Sequence, residues 1–355
     1  MAEFGIYVHI PFCRSRCDYC AFATWTDRGH LVDDYVDAVV VDIERSVAAG
    51  MPTADTVFFG GGTPTLIDPR HIARIIRAIP LSATPEITVE SNPDDASAEL
   101  FATFAAAGVN RISIGVQSMV AHVLDSLGRS HDAANVERAV TLARAAGIDN
   151  VNLDLMYGAA GESQSDWEHT LSAALALSPT HVSAYGLTVE AGTPLADDPA
   201  RHPDDDEQAD KYVTADTALS AAGLVNYEIS NWSRPGKECR HNMVYWDQGN
   251  YSGFGCAAHS HEDGHRWWNV RTPDRYIDLV RAGESVMAAD ERLEAPVRDF
   301  ERLELSLRTS RGVPEEALLD SESDLVGLVE FGDGRAILTR EGRLLANEIS
   351  TRLKC

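Results

Sequence analysis

The chain has 355 residues, and 44% of them are hydrophobic, enough for one large α/β domain with a small appended unit. The formal net charge is −25, and such an acidic chain repels phosphate backbones, which argues against nucleic acid as a partner. No apolar stretch is long enough for a transmembrane segment. The N-terminal residues lack a targeting pattern, and six irregularly spaced cysteines are typical of a protein in the reducing cytoplasm.

Short β-rich runs alternate with amphipathic helical stretches along the first two thirds of the chain. Between these runs, apolar residues recur at helical spacing, as in residues 31–47. An Ala-Ala-Gly sequence follows several helical stretches, and glycine in this position is an expected helix stop. The stops are Gly50, Gly108, Gly147 and Gly223. The predicted strands are residues 6–10, 56–59, 86–90, 111–115, 151–155 and 181–185, with a weaker candidate at 226–229.

The order of these units predicts parallel strands joined by crossover helices. Unusual polar residues stand at the ends of the first five strands: a cysteine run, a glycine run, Glu90, Gln117 and Asp154. In a barrel the carboxyl ends of the strands meet at one rim, whereas an open doubly wound sheet concentrates them near a switch point. We therefore expect an α/β fold with a partial TIM-type (β/α)6 barrel over residues 1–235.

The strand–helix rhythm stops after about residue 291. The elements predicted there are helices at 299–307 and 315–319, a strand at 336–339 and a helix at 341–353. This order favours a small α-rich, winged-helix-like domain at 291–355, with residues 236–290 connecting it to the barrel. Such folds often bind DNA, but the acidic composition indicates a structural cap or a protein-docking surface instead.

Three cysteines, Cys13, Cys17 and Cys20, form a C-x3-C-x2-C run directly after the first predicted strand. A disulfide framework would require an extracellular chain. A structural zinc site usually has a second ligand pair, for which Cys239 with His241 is a poor substitute. Three thiolates can instead hold three corners of a cubane iron–sulfur cluster, which normally takes four ligands. The run therefore predicts a cluster whose fourth iron is open to a small molecule.

The glycine run at residues 60–62 follows the second predicted strand and continues as Thr63-Pro64-Thr65. Consecutive glycines let the backbone approach a ligand closely and point N–H groups at it. No Gly-Lys-Ser/Thr sequence follows, so the run is not a P-loop. A plain tight turn is the simpler alternative, but beside an open iron we favour a turn that holds an amino-acid moiety.

The cysteine run resembles the signature of radical S-adenosylmethionine (SAM) proteins. Further segments, in order along nearly the whole chain, are similar to the coproporphyrinogen dehydrogenase/HemW branch of that family. They lie at residues 7–13, 60–65, 90–93, 111–118, 127–131, 152–158, 181–185, 190–193 and 227–231. The resemblance implies a [4Fe-4S] cluster on the three cysteines, with the methionine amine and carboxylate of SAM on the fourth iron. An electron supplied by a donor would cleave SAM to methionine and a 5′-deoxyadenosyl radical.

The resemblance also implies a set of SAM-binding residues. These are Tyr7, Tyr19, Gly61, Gly62, Thr63, Glu90, Gln117, Arg129 and Asp154. Residues 61–63 would supply backbone and hydroxyl donors to the methionyl group. Glu90 would bind its ammonium, and Arg129 its carboxylate. Asp154 would accept from the ribose hydroxyls, and Tyr19 would pack beside the adenine. The simpler alternatives are a Glu90–Arg129 ion pair and a helix cap at Asp154.

Two features distinguish the branches of this family. Coproporphyrinogen dehydrogenases carry another cysteine where this chain has Phe22, and they have a long extension where only six residues precede Tyr7. The segment 241–246 instead resembles the HNxxYW motif of HemW-type heme chaperones. That resemblance implies heme binding by His241, Asn242, Tyr245 and Trp246, and imidazole is a natural axial ligand of heme iron. Nearby alternatives for the ligand are Cys239, His259, His261 and His265.

The resemblance thus predicts a heme chaperone that binds heme and transfers it to an acceptor protein. The first alternative is an oxygen-independent coproporphyrinogen III oxidase, which decarboxylates propionates. The second is another radical-SAM enzyme that acts on a tetrapyrrole, such as a ring-opening methyltransferase. The identity of the acceptor protein does not follow from the sequence.

Overall fold

Six parallel strands in chain order form the centre of the molecule, as predicted. In the computed structural model, which describes residues 3–354, each strand pairs with the next. The strands are β1 (Gly5–Ile10), β2 (Ala54–Gly61), β3 (Leu81–Ser91), β4 (Arg111–Gln117), β5 (Asn150–Tyr157) and β6 (His181–Gly186). The connecting helices are α1 (Val32–Ala48), α2 (Pro69–Ala78), α3 (Ala98–Ala106), α4 (Ala121–Ser126), α5 (Ala133–Ala145) and α6 (Gln164–Ala176).

Local sequence signals explain where these helices begin and end. Ser97 caps α3, and Asp132 and Ser163 form capping boxes at α5 and α6, because their side chains accept from otherwise unpaired N–H groups. The four predicted glycine stops all have positive φ, between 80° at Gly223 and 100° at Gly50. This conformation suits glycine, which has no Cβ. None of the helices within residues 3–354 combines the length and apolar character needed to cross a bilayer.

Six further strands extend this sheet on both sides, so that it has 12 strands within residues 3–354. The additional elements are α7 (Asp205–Ala221), β7 (Val225–Glu228), β8 (Asn231–Ser233), α8 (Arg240–Trp246), β9 (Tyr251–Phe254), β10 (His259–Glu262), β11 (His265–Asn269), α9 (Pro273–Ala282) and β12 (Met287–Arg292). Strand β9 lies parallel beside β1, and β10 to β12 follow it as an antiparallel meander. On the opposite side β8 and β7 pair antiparallel with β6 and with each other. The sheet is open, with β12 and β7 at its edges, so the barrel is partial.

A buried hydrogen-bond network joins β4, β5 and β6. The Asn152 amide nitrogen lies 2.7 Å from Ser113 Oγ and 3.0 Å from Ser183 Oγ. His181 Nδ1 lies 2.6 Å from Asn152 Oδ1, and its Nε2 lies 2.7 Å from the Tyr227 hydroxyl. Because these polar groups satisfy one another out of contact with water, the network rigidifies the strands that carry the functional site.

The C-terminal unit has its own apolar core and more β-structure than predicted. Its elements are α10 (Ala295–Leu307), β13 (Val313–Pro314), β14 (Val329–Gly332), β15 (Arg335–Leu338), α11 (Arg340–Leu344) and α12 (Ala346–Ser350). The helix predicted at 341–353 is two shorter helices, α11 and α12, because Leu345 leaves helical geometry between them. The predicted helix at 315–319 is a 3-10 turn over Glu315–Ala317. The predicted boundary at residue 291 falls inside β12. The winged-helix-like assignment remains a prediction.

Candidate functional site

The carboxyl ends of the parallel strands surround a cavity of about 520 Å³, which we call the rim cavity. It contains every predicted SAM-binding residue except Tyr7, and it also contains the three cysteines. The predicted residues that line it are Cys13, Cys17, Cys20, Tyr19, Gly61, Gly62, Thr63, Glu90, Gln117, Arg129 and Asp154. The expectation that the polar strand ends meet at one rim is therefore confirmed.

The cysteine loop follows β1 and lies against two polar side chains from neighbouring elements. Thr63 Oγ1 is 3.7 Å from the sulfur of Cys13, and Arg129 Nη1 is 3.5 Å from the sulfur of Cys17. All three thiols are half-buried and free of disulfides. Burial raises the pKa of the Cys13 thiol, and the Thr63 hydroxyl partly offsets that effect. Bound thiolates would therefore need the positive charge of a metal centre to stabilise them.

This donor set fits an iron–sulfur cubane. Three thiols on one short loop face a common cavity, and hydroxyl and guanidinium donors stand beside two of the sulfurs. Within residues 3–354, no three His, Cys, Asp or Glu side chains surround a single point in the way that one metal ion requires. A cubane has a different requirement, because each thiolate binds a different iron.

The glycine turn packs directly against the cysteine loop. Gly61 has a φ of 108°, and a Cβ there would collide with the His9 ring. A Cβ on Gly62 would lie 2.7 Å from the carbonyl oxygen of Phe12. Glycine is therefore required at both positions because the turn packs against the cysteine loop and the His9 ring, which a simple surface turn would not do.

The N–H groups of this turn are already engaged within the protein. Gly62 N donates to the Ile10 carbonyl and Thr63 N to the Phe12 carbonyl, each at 2.8 Å. Gly61 N donates to Glu90 Oε2 at 3.2 Å. The expectation that these N–H groups donate to a methionyl group is wrong. What the turn can offer a ligand is its carbonyl oxygens and the Thr63 hydroxyl.

Glu90 is a half-buried carboxyl in the wall of the rim cavity, and its pKa is perturbed. Burial, followed by the negative charge of Asp154, raises the pKa of Glu90 to about 8. Among the described residues it forms no ion pair with Arg129, which instead donates to the Gly115 carbonyl at 2.9 Å. The alternative of a Glu90–Arg129 ion pair is therefore wrong. A carboxyl that lines a cavity and forms no ion pair within residues 3–354 fits a ligand that brings its own positive charge.

Asp154 is held by the strands on either side of the cavity. Ser113 Oγ donates to one of its oxygens at 2.6 Å, and the Asn152 amide donates to the other at 2.8 Å. The helix-cap alternative is wrong, because Asp154 lies inside β5. Gln117 has a φ of 61° next to an irregularity in the β4–β5 pairing. Such strained backbone is typical of functional positions.

Comparison with known proteins agrees with this geometry. Residues 7–174 match the model of the radical SAM superfamily. The chain is 40% identical to the heme chaperone HemW of Mycobacterium tuberculosis (strain ATCC 25618 / H37Rv), over 98% of this chain and 93% of that protein. It is 35% identical to the heme chaperone HemW of Escherichia coli (strain K12), over 97% of this chain and 96% of that protein. The chain belongs to the HemW family of radical SAM proteins.

The fold of this HemW-family chain also matches a solved structure. Coproporphyrinogen III oxidase (HemN) from Escherichia coli superposes with a TM-score of 0.87, covering 99% of this chain and 89% of that one. The identity is 21%, so this likeness establishes the fold alone. It supports the predicted partial barrel.

A second recess in this HemW-family chain borders the rim cavity. We call it the aromatic cleft; its volume is about 740 Å³, and it shares Ala21 and Phe22 with the rim cavity. Tyr7 lies here instead of in the rim cavity. Phe22 is 66% exposed, an unusual state for so large an apolar side chain. The aromatic side chains of the cleft belong to Tyr7, Phe22, Tyr245, Tyr251 and Trp268.

The HNxxYW residues lie on α8, and their side chains diverge. His241 is only 1% exposed, and its ring nitrogens lie 2.8 Å from Thr56 Oγ1 and 2.8 Å from the Tyr245 hydroxyl. Tyr245 lines the aromatic cleft, whereas Trp246 packs under the Arg308 guanidinium. Asn242 is half-buried on the same helix. The structure therefore does not bring the predicted heme-binding residues together, and His241 has no free nitrogen for iron.

Sequence reasoning missed several residues of both cavities. Ser113 and Asn152 orient Asp154, and their signal was the alternation of polar residues along β4 and β5. Tyr251, Trp268 and Arg271 line the aromatic cleft. They lie in or beside short strands that no predicted helix follows, so the strand–helix pattern did not reveal them.

Proposed function

We propose that this protein is a heme chaperone that binds heme in the aromatic cleft and transfers it to an acceptor protein. The observation that carries the proposal is the adjacency of the two cavities. The cysteine-lined rim cavity and the aromatic cleft meet at Ala21 and Phe22, the two residues that directly follow Cys20. Nearly full-length similarity to heme chaperones supports this assignment.

In the rim cavity we propose a [4Fe-4S] cluster on Cys13, Cys17 and Cys20, with SAM at the open iron. When reduced by an external electron donor, such a cluster would supply an electron to bound SAM. Glu90 would bind the ammonium of the methionyl group, and Arg129 would hold its carboxylate. The remaining predicted SAM contacts that line the rim cavity would fix the orientation of the ligand and exclude water.

In the aromatic cleft the residues present suit a flat, apolar macrocycle. Tyr7, Tyr245 and Tyr251 offer ring faces and edges, which favour contact with a conjugated system. Within the HNxxYW motif we propose direct heme contact by Tyr245. His241 is a positioning residue that holds the Tyr245 hydroxyl. We also propose that the protein acts in the cytoplasm.

The chaperone function is tested by anaerobic reconstitution of the full chain with iron and sulfide, followed by two measurements on one sample. Heme titration should give a saturable Soret band, and an assay for 5′-deoxyadenosine reports whether SAM is cleaved. Heme transfer to an apo-acceptor is then followed as movement of the Soret absorbance between separated proteins. Conversion of coproporphyrinogen III to protoporphyrinogen IX by the reduced protein would overturn the proposal in favour of the decarboxylase.

A further inference from the structure

A heme bound in the aromatic cleft needs an axial ligand, and most imidazoles near the cleft are already engaged. His9 lines the cleft, but its nitrogens lie 3.0 Å from the Tyr7 hydroxyl and 2.8 Å from the Ala23 carbonyl oxygen. His261 is buried with its nitrogens bonded to the Gly249 carbonyl and the Gly264 N–H. A ring with both nitrogens in hydrogen bonds cannot bind iron without breaking one of them.

Two further candidates, His241 on α8 and Cys239 just before it, are also unsuited. His241 is bonded at both nitrogens, as described above. The Cys239 thiol is fully buried beside Glu86, and burial raises its pKa to about 12. A neutral thiol is a poor metal ligand, because the thiolate is the binding form. Neither side chain lines the cleft.

His259 differs from all of these. It is the first residue of β10, it is exposed, and it lines the aromatic cleft. Within residues 3–354 its ring nitrogens have no hydrogen-bond partner. The ring stacks on Trp268 of the paired strand, with centroids 5.7 Å apart and planes 24° apart. Stacking orients the imidazole and leaves both nitrogens available.

The rest of the cleft has room for the macrocycle of a heme and a cation for one of its propionates. Its volume of about 740 Å³ lies within the range of roughly 300–1,000 Å³ that is usual for sites of this kind of ligand. Arg271 is an exposed cation in the cleft wall, in a chain whose net charge is −25. No other lysine or arginine lines the described cleft. A guanidinium is suited to pair with a carboxylate, here a heme propionate.

We propose that His259 is the axial ligand of heme in the aromatic cleft and that Arg271 pairs with a propionate. This inference rests on the proposed function, because heme is its cargo. It moves the iron ligand from the buried motif histidine to the β10–β11 hairpin. The motif helix contributes the Tyr245 wall of the same cleft.

The test uses the anaerobically reconstituted full chain and replaces His259 by glycine. Wild-type protein should titrate with heme to a histidine-type Soret and EPR spectrum. His259→Gly should bind heme at least about tenfold more weakly and lose that spectrum, because an axial bond is lost. Added imidazole should restore the spectrum, since a free ring can occupy the vacated space. His265→Gly is the matched control on the same hairpin, outside the cleft, and should titrate like wild type.

Cluster iron content and the thermal transition show whether each variant has folded. If His259→Gly fails to fold, His259→Gln provides the same measurement with a side chain of similar volume. An unchanged dissociation constant and spectrum in a folded His259 variant overturns the ligand assignment and leaves the chaperone function standing. Absence of heme binding by wild-type protein overturns both.

Discussion

The Tyr245 hydroxyl lies 2.8 Å from Nε2 of the buried His241 ring, which joins the HNxxYW helix to the wall of the aromatic cleft. The other ring nitrogen lies 2.8 Å from Thr56 Oγ1 on β2. His241 thus connects the central sheet to a residue that faces the cleft. This geometry suits a residue that positions Tyr245, and it explains why the motif can matter for heme without supplying the ligand.

Replacing His241 by phenylalanine should therefore lower the free energy of unfolding. At pH 7 we expect a loss of about 1–3 kcal/mol, because the change leaves the Thr56 and Tyr245 hydroxyls without their partner. The Soret spectrum of the folded variant should keep its histidine signature. Urea unfolding and heme titration on the same preparation measure both quantities. Loss of the signature with unchanged stability would identify His241 as the ligand instead.

The free energy of unfolding should also depend less on pH in the His241→Phe variant than in the wild type. Burial, followed by the charge of Arg111, lowers the pKa of His241 to about 3. A histidine whose pKa is lower in the folded state than in the unfolded state favours folding most above its unfolded-state pKa of about 6.5. This contribution to the free energy of unfolding is lost as the pH falls below that value. Between pH 7 and pH 5 the wild type should lose about 2 kcal/mol that the phenylalanine variant keeps. Equal losses in the two proteins would contradict the buried, neutral state of this ring.

Cys17→Ala should abolish cluster assembly, because two thiolates cannot hold the cluster and the neighbouring Arg129 guanidinium has no lone pair to offer iron. After anaerobic reconstitution we expect background iron and sulfide and no cluster EPR signal. Cys256→Ala is the matched control, since that thiol is buried beside the Tyr35 hydroxyl, away from the rim cavity. A Cys17 variant with stoichiometric iron and sulfide would refute the ligand triad.

Glu90→Gln should weaken SAM binding and remove its dependence on pH. In the wild type the carboxyl has a pKa of about 8, so the anion that attracts an ammonium forms as the pH rises through that value. Wild-type affinity should therefore increase from pH 7 to pH 8.5. The variant should bind about tenfold more weakly at the upper pH, the size of one lost charge-assisted contact. Equilibrium dialysis of SAM measures this, with the exposed Glu99→Gln as control. A variant that keeps the wild-type slope would exclude Glu90.

Phe22→Ala should weaken heme binding about fivefold, in proportion to one lost aromatic contact. Phe22 is exposed where the two cavities meet, so its removal should leave the core intact. Heme titration checks the affinity, and Val326→Ala removes another exposed apolar side chain outside the cleft as a control. Unchanged heme affinity would show that Phe22 does not contact the macrocycle.

Much of the barrel was predictable because its signals are local. The apolar runs and the glycine stops located the six parallel strands, and the structure lengthens most of them by a few residues. The meander β10–β12 was not predicted, because segments such as 259–262 mix histidine and charge without a clear apolar alternation. The C-terminal helix was predicted too long, because helical spacing of apolar residues continues across Leu345 although its backbone does not.

The sequence by itself determined the chemistry of the rim. Three cysteines within eight residues share one loop, and the ends of successive parallel strands meet because the crossover connection requires it. Only the tertiary structure decided which histidine at the aromatic cleft has ring nitrogens that are not already hydrogen-bonded. Strand β9 pairs with β1 although Tyr7 and Gly253 are far apart in the chain, and the hairpin that follows β9 brings His259 to the cleft. No local pattern carries that information, because the availability of a ring nitrogen depends on partners from distant segments.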